Sequence, residues 1–237
     1  MTALALTPAK PYRGLGMDGF IAKWYANLTR NSLEDFRNLA RQVAPQLPPG
    51  ADVLEVAPGP GYFAIELAKR GAFRITGLDI SETFVEIASQ NAAEAQVQVD
   101  FRRGNASGMP FQRESFDFVL CRAAFKNFSQ PMAALREMYR VLKPGGRARI
   151  IDLRKDATME DIAQAVDEMK LGTRNAVLAR LTFRFLLLRR AYTKQDFERM
   201  LAETRFRPID IRENRIGLDV LLTKSPRCLS SRSVAAI

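Results

Sequence analysis

A doubly wound α/β domain on a mostly parallel, seven-stranded sheet is the fold class this sequence predicts. Three observations carry that expectation. Short apolar strands alternate with amphipathic helical segments between residues 50 and 155. A strand at Val53–Val56 runs straight into a turn holding Gly59 and Gly61. Two more short strands close the chain after a helical insert. Such alternation feeds right-handed crossovers and covers both faces of a sheet with helices.

The elements follow in order. Residues 1–49 read as an N-terminal helical lid, with apolar residues at helical spacing over Phe20–Tyr25 and Leu33–Val43 and a break at Pro45–Gly50. The α/β core spans 50–155. It holds strand Val53–Val56, helix Tyr62–Arg70, strand Phe73–Leu78 ending on Asp79, and a helix from Ser81, a suitable N-cap, to about Ala93. Strands Val97–Arg102 and Phe116–Cys121 follow, then helix Met132–Leu142, a turn at Lys143-Pro144-Gly145-Gly146, and strand Ala148–Leu153. A helical insert is expected over 156–192: Met159, Ile162, Val166 and Met169 share one face, and 178–190 mixes apolar residues with four arginines. Residues 193–224 return to the sheet, with Thr193 and Asp196 as a capping box and strands Pro208–Glu213 and Leu218–Leu222. The polar tail, 225–237, is expected to fray.

The turn after the first strand narrows the chemistry. Glycine lets a backbone approach a ligand closely, and the carboxyl ends of neighbouring parallel strands open a crevice there. Asp79, twenty-four positions after Glu55 and also at a strand end, can accept from both ribose hydroxyls of an adenosine ligand. Gly59, Gly61 and Ala64 would satisfy a relaxed dinucleotide fingerprint, but Glu55 at the strand end would repel a diphosphate. A carboxylate suits a cationic ligand, such as the sulfonium and ammonium of S-adenosylmethionine.

Composition sets the outer limits. With 237 residues, 47% apolar and 26% charged, the chain fits one large α/β domain. No apolar run approaches the roughly 20 residues of a membrane span, and Met1–Lys10 lacks an export signal, so cytoplasmic residence is expected. Cys121 and Cys228 suggest neither a disulfide framework nor a metal site, and no metal is expected. The absence of histidine excludes a histidine base, triad or metal ligand. The net charge of +10 gathers at the C-terminal end, where residues 171–237 hold 14 Lys/Arg against 6 Asp/Glu. That excess could attract nucleic acid, an anionic membrane surface or an acidic substrate, or simply solvate a helical face.

The ordered run Glu55–Gly61, Asp79, Gly104-Asn105-Ala106 ahead of Met109-Pro110-Phe111, and Ser115–Cys121 with Met138–Gly146 resembles class I S-adenosylmethionine-dependent methyltransferases. The likeness covers about residues 50–155 and is closest to the branch of ubiquinone and menaquinone methyltransferases. It implies a Rossmann-like methyltransferase fold and S-adenosylmethionine as cofactor, with S-adenosylhomocysteine as product. It also implies that Glu55, Ala57, Gly59 and Gly61 lie near the methionine portion, Asp79 at the ribose and Ile80 against the adenine. Asn105 and Ala106 would meet the adenine amino edge, and Cys121 and Arg122 would close the turn beneath the methionine. Two positions depart from the family pattern. Ala57 replaces the first turn glycine, and Asn105 stands where an aspartate is usual.

Methyl transfer from a sulfonium is an in-line displacement that needs alignment and exclusion of water more than a dedicated base. Candidate bases or orienting groups are Tyr25, Tyr12 and Lys126, the last either polar at the substrate mouth or merely solvated. The expected partner is a small, hydrophobic methyl acceptor offering O, N or C, with 178–190 either packing in the core, meeting lipid or covering a lipophilic substrate. An RNA methyltransferase, a noncatalytic cofactor-binding protein and a nicotinamide enzyme are the alternatives. Nucleic acid is disfavoured as a partner because the arginines lack interleaved exposed aromatics.

Overall fold

A computed structural model describes residues 12–13, 18–30, 32–168 and 188–226. Seven strands form one sheet in the order β3-β2-β1-β4-β5-β7-β6. They are β1 (Asp52–Val56), β2 (Arg74–Asp79), β3 (Asp100–Arg103), β4 (Phe116–Arg122), β5 (Leu142–Leu153), β6 (Ile209–Glu213) and β7 (Gly217–Thr223). The first five run parallel, and β7 lies antiparallel between β5 and β6. The strand order reverses between β1 and β4, which is where a doubly wound sheet opens its crevice.

Helices cover both faces because each carries one apolar stripe. On one face α2 (Leu33–Val43) buries Phe36, Leu39, Ala40 and Val43 against α3 (Tyr62–Ala68) and the β1–β4 strands. On the other, Ala134, Leu135, Met138 and Val141 of α5 (Pro131–Val141) join Phe197 and Leu201 of α7 (Lys194–Ala202) over β4, β5 and β7. A smaller cluster sits under α6 (Met159–Glu168), where Ile162 and Val166 meet Ala157 and Leu188.

The expected caps form. Ser81 Oγ accepts from Phe84 N at 3.1 Å at the head of α4 (Glu82–Glu94), and Thr193 with Asp196 closes a reciprocal capping box on α7. At the chain's start α1 (Gly19–Arg30) is tied down by Tyr62 Oη donating to Ala26 O and by Gly19 N donating to Thr83 Oγ1.

Two expectations need correction. The turn predicted at Lys143–Gly146 is the irregular start of β5. Gly145 N donates to Lys224 O and Lys224 N to Gly146 O, so neighbouring backbone claims these residues, while Gly145 takes the bend at φ +82°. The third strand begins at Asp100 rather than Val97. As an edge strand it is defined only where β2 faces it, from Thr76 to Asp79. Most of 178–190 lies outside the described residues, which include only Leu188–Arg190 of it.

Candidate active site

The sheet's carboxyl edge assembles the site. β1 enters it with Glu55, whose Oε2 accepts from Ala64 N at 3.1 Å. Ala64 lies in the first turn of α3, where backbone N–H groups have no helical partner, so the carboxylate anchors that helix start. Glu55 is only 3% exposed, and burial pushes its carboxyl up to about 8, with Asp79 adding to the rise and Arg122 opposing it. β2 ends on Asp79, which holds the turn from both sides: Oδ2 accepts from Gly59 N at 3.0 Å and Oδ1 from Ser81 N at 2.9 Å. Burial raises the Asp79 carboxyl as well, against the pull of these amides. Among the described residues neither carboxylate has an ion-pair partner within reach. Two buried acids, each paying for desolvation beside the other, favour a cation between them.

The turn's glycines divide their work. A Cβ on Gly59 would make ordinary van der Waals contact, 4.0 Å from the rings of Tyr25 and Phe84. A Cβ on Gly61 would lie 2.6 Å from Phe101 Cζ and 2.9 Å from Ala88 Cβ, so this glycine makes room for the protein's own β3 and α4. Ala57 sits at φ +56°, in the left-handed region that a glycine would occupy without strain. Its N–H nevertheless bonds Leu78 O at 2.8 Å, which keeps the turn against β2.

Tyr12 and Tyr25 both reach this edge. Tyr25 packs edge-on to Phe84 at 5.9 Å, and Tyr12 pairs its backbone with Phe128. Burial raises both phenols above 10, and each feels Asp79 and Asp152. A phenol shifted in that direction donates a hydrogen bond and holds its proton at neutral pH. Arg122, at the end of β4, lies over the Phe36 ring at 4.2 Å and so ties α2 to the crevice floor.

Comparison with known proteins shows what this part of the chain is similar to. Residues 54–150 match the family described as "Methyltransferase domain". Over 101 residues the chain is 41% identical to the demethylmenaquinone methyltransferase of Deinococcus radiodurans, covering 42% of each chain. Over 106 residues it is 39% identical to that of Listeria monocytogenes, covering 44% of this chain and 45% of the relative. The match therefore spans less than half the length of these relatives. Among solved structures, a Methanococcus maripaludis protein assigned to the S-adenosylmethionine-dependent methyltransferases superimposes with a TM-score of 0.71. The identity is 21%, over 92% of this chain and 98% of that one. The [4+2]-cyclase SpnF does so with 0.55 at 22% identity, over 80% of each. At such identities only the fold is shared.

Within the matched stretch the remaining predicted residues fall as follows. Gly104 N donates to Asp79 O at 2.7 Å, which brings the loop of Asn105 and Ala106 beside the acid. Asn105 Oδ1 accepts from Ser107 N at 2.9 Å and thus shapes its own turn. Ile80 is half-buried, whereas Cys121 is fully enclosed in the core under the β4 end. Lys126 departs from both sequence readings, being neither solvated nor open at a mouth. Its Nζ is buried between Asp152 Oδ1 at 2.7 Å and Ala123 O at 2.6 Å, and its N–H donates to Asp152 Oδ2 at 2.8 Å.

Three contributors were not anticipated. Asp152 is the last residue but one of β5, near its end as Asp79 is at the end of β2, and an acid at a parallel strand's carboxyl end was the signal available for it. Tyr192 packs on Phe125 and Phe197, centroids 5.8 and 5.7 Å away. Asp18 accepts from Ser81 Oγ at 2.6 Å, a contact between distant segments that has no local sequence signature. Among the described residues no helix is long and apolar enough to cross a membrane, and no side-chain group could hold a metal ion.

Proposed function

We propose that the chain is a cytoplasmic enzyme that transfers the methyl group of S-adenosylmethionine to a small, hydrophobic acceptor. The pairing of Glu55 near the end of β1 with Asp79 at the end of β2 carries this reading, with Gly59 bonded to Asp79 and faced by the rings of Tyr25 and Phe84. The residues fit the cofactor's chemistry. Asp79 already accepts from the amides of Gly59 and Ser81, with the Ile80 amide also against it, and its remaining lone-pair capacity serves the ribose. Glu55, kept protonated at neutral pH by its burial, releases that proton when an ammonium or sulfonium binds beside it and then supplies the opposing charge. Ile80 is placed for an adenine face and Asn105 with Ala106 for its edge; Cys121 and Arg122 underlie the methionine end.

The bound donor supplies an already activated methyl group. The chain's own part is then to align, to dry and to orient. Tyr25 and Phe84 wall the space over Gly59 and exclude water from it. Tyr25 and Tyr12, held protonated by burial, orient the acceptor by donating to it and are poor bases. The acceptor therefore reaches the site as an anion or gives its proton to solvent. Demethylmenaquinone, which the relatives act on by name, is the kind of hydrophobic ring that fits this account.

Calorimetry with S-adenosylhomocysteine on wild type and Asp79→Ala tests the reading. The substitution removes two ribose hydrogen bonds to a charged group, so affinity should fall roughly 100-fold or more. Undiminished affinity would overturn the assignment. Labelled donor offered with quinols, phenols and amines then identifies the acceptor, and tight cofactor binding without any transfer would leave a noncatalytic binder.

A further inference from the structure

A concavity of about 460 Å³ opens beyond the end of β5, with none of Glu55, Gly59 or Asp79 in its lining. Lys155 follows β5, Arg189 and Arg190 lead into Tyr192, Arg199 projects from α7, and Arg13 closes the rim. One acid lines it, Asp196, which is committed to the α7 cap and to Arg199 at 2.9 Å. The lining thus carries five positive charges and one negative. Lys155, Arg13, Arg189 and Arg190 have no ion-pair partner among the described residues. Every Asp and Glu side chain of the given sequence belongs to those described residues.

The walls are braced. Arg190 Nη1 donates to Arg13 O at 3.1 Å, Lys155 N to Tyr192 O at 3.1 Å, and Arg13 Nη1 reaches Tyr192 Oη at 3.4 Å. Tyr12, the neighbour of Arg13 in sequence, lies within electrostatic reach of Arg190 of the cleft and of Tyr25 and Asp79 at the sheet edge. A concave, low-dielectric surface lined by one sign of charge concentrates counter-ions, and guanidinium forks match phosphate oxygens.

We infer that this cleft binds a phosphate or diphosphate group, presented by the methyl acceptor while its reacting atom faces the cofactor crevice. That the anion belongs to the acceptor rests on the proposed methyl transfer; anion binding by the cleft does not. The group's source is either a soluble phosphorylated acceptor or a lipid headgroup, and the test separates them.

Titration of the full chain with inorganic pyrophosphate at low salt is the first measurement, on wild type and on Lys155→Ala/Arg189→Ala. Both side chains are exposed and make no hydrogen bond or ion pair among the described residues. The pair should weaken pyrophosphate binding roughly tenfold or more, with S-adenosylhomocysteine affinity and the urea midpoint unchanged. A charge-matched control, Arg70→Ala/Arg113→Ala, removes two exposed arginines remote from the cleft in sequence and should change binding less than about twofold. No binding by wild type, or an equal loss in the control, overturns the proposal. Flotation with phosphatidylglycerol-containing and with purely zwitterionic vesicles gives the source. Retention on the anionic vesicles that the Lys155/Arg189 variant loses assigns a lipid headgroup, and no retention assigns a soluble phosphorylated acceptor. If wild type fails to bind S-adenosylhomocysteine, the methyl-transfer reading falls while the pyrophosphate result stands.

Discussion

Replacing Glu55 by glutamine should make the protein's stability less sensitive to pH. Glutamine keeps the shape of the side chain and an oxygen that can accept from Ala64 N, but it does not titrate. In the folded protein the Glu55 carboxyl is raised from 4.5 to about 8, chiefly by burial. The native state then holds a proton between those values that the unfolded chain has released, so stability falls as pH rises through that window and levels off above it. A shift of that size corresponds to about 5 kcal/mol, of which roughly 3–4 kcal/mol falls between pH 5 and pH 8. Urea unfolding followed by circular dichroism at pH 5, 6, 7 and 8, at constant ionic strength, measures it. Relative to wild type, Glu55→Gln should gain roughly 3–4 kcal/mol over that range. Parallel curves, agreeing within about 1 kcal/mol at every pH, would refute the claim that Glu55 is buried and protonated. The same linkage has a functional face. A cationic ligand seated beside Glu55 pulls its proton off, so binding of S-adenosylmethionine at pH 7 should release protons in wild type and release fewer in Glu55→Gln.

Lys126→Ala leaves Asp152 as a buried carboxylate without its ammonium, and urea unfolding should show a loss of about 3–5 kcal/mol. Asp152→Asn added to that background should recover part of it, whereas a loss below about 1 kcal/mol would mean the pair is open to solvent. Gly61→Ala forces a side chain into the left-handed region at φ +77° and against Phe101 and Ala88, which should cost about 2–4 kcal/mol. Trimming Phe101 to leucine in that variant relieves the clash and leaves the strain; a neutral Gly61→Ala would show that the turn relaxes freely.

Much of this architecture was legible because it rests on local periodicity. Leu33–Val43 shows its helical stripe, Val53–Val56 its apolar run into a glycine turn, and Ser81 and Thr193 their caps, each within a few residues. Asp79 could be singled out for the same reason, since a strand end and a spacing are properties of the chain alone. The misreadings share a cause as well. Lys143–Gly146 has the composition of a turn, yet the backbone of β7's end and β4 captures it. Lys126 has the polarity of a surface residue, yet Asp152, twenty-six positions away, takes it inside.

By itself the sequence determined the order of strands and helices, the acid at the end of β2 and the lack of any histidine, because backbone conformation and residue chemistry are set within a few neighbours. Only the tertiary structure decided that Glu55 is buried and anchors α3, that Gly61 yields to Phe101, and that Arg13, Lys155, Arg189, Arg190 and Arg199 converge on one cleft. Burial and charge convergence depend on which distant segments meet, and no short-range pattern records that.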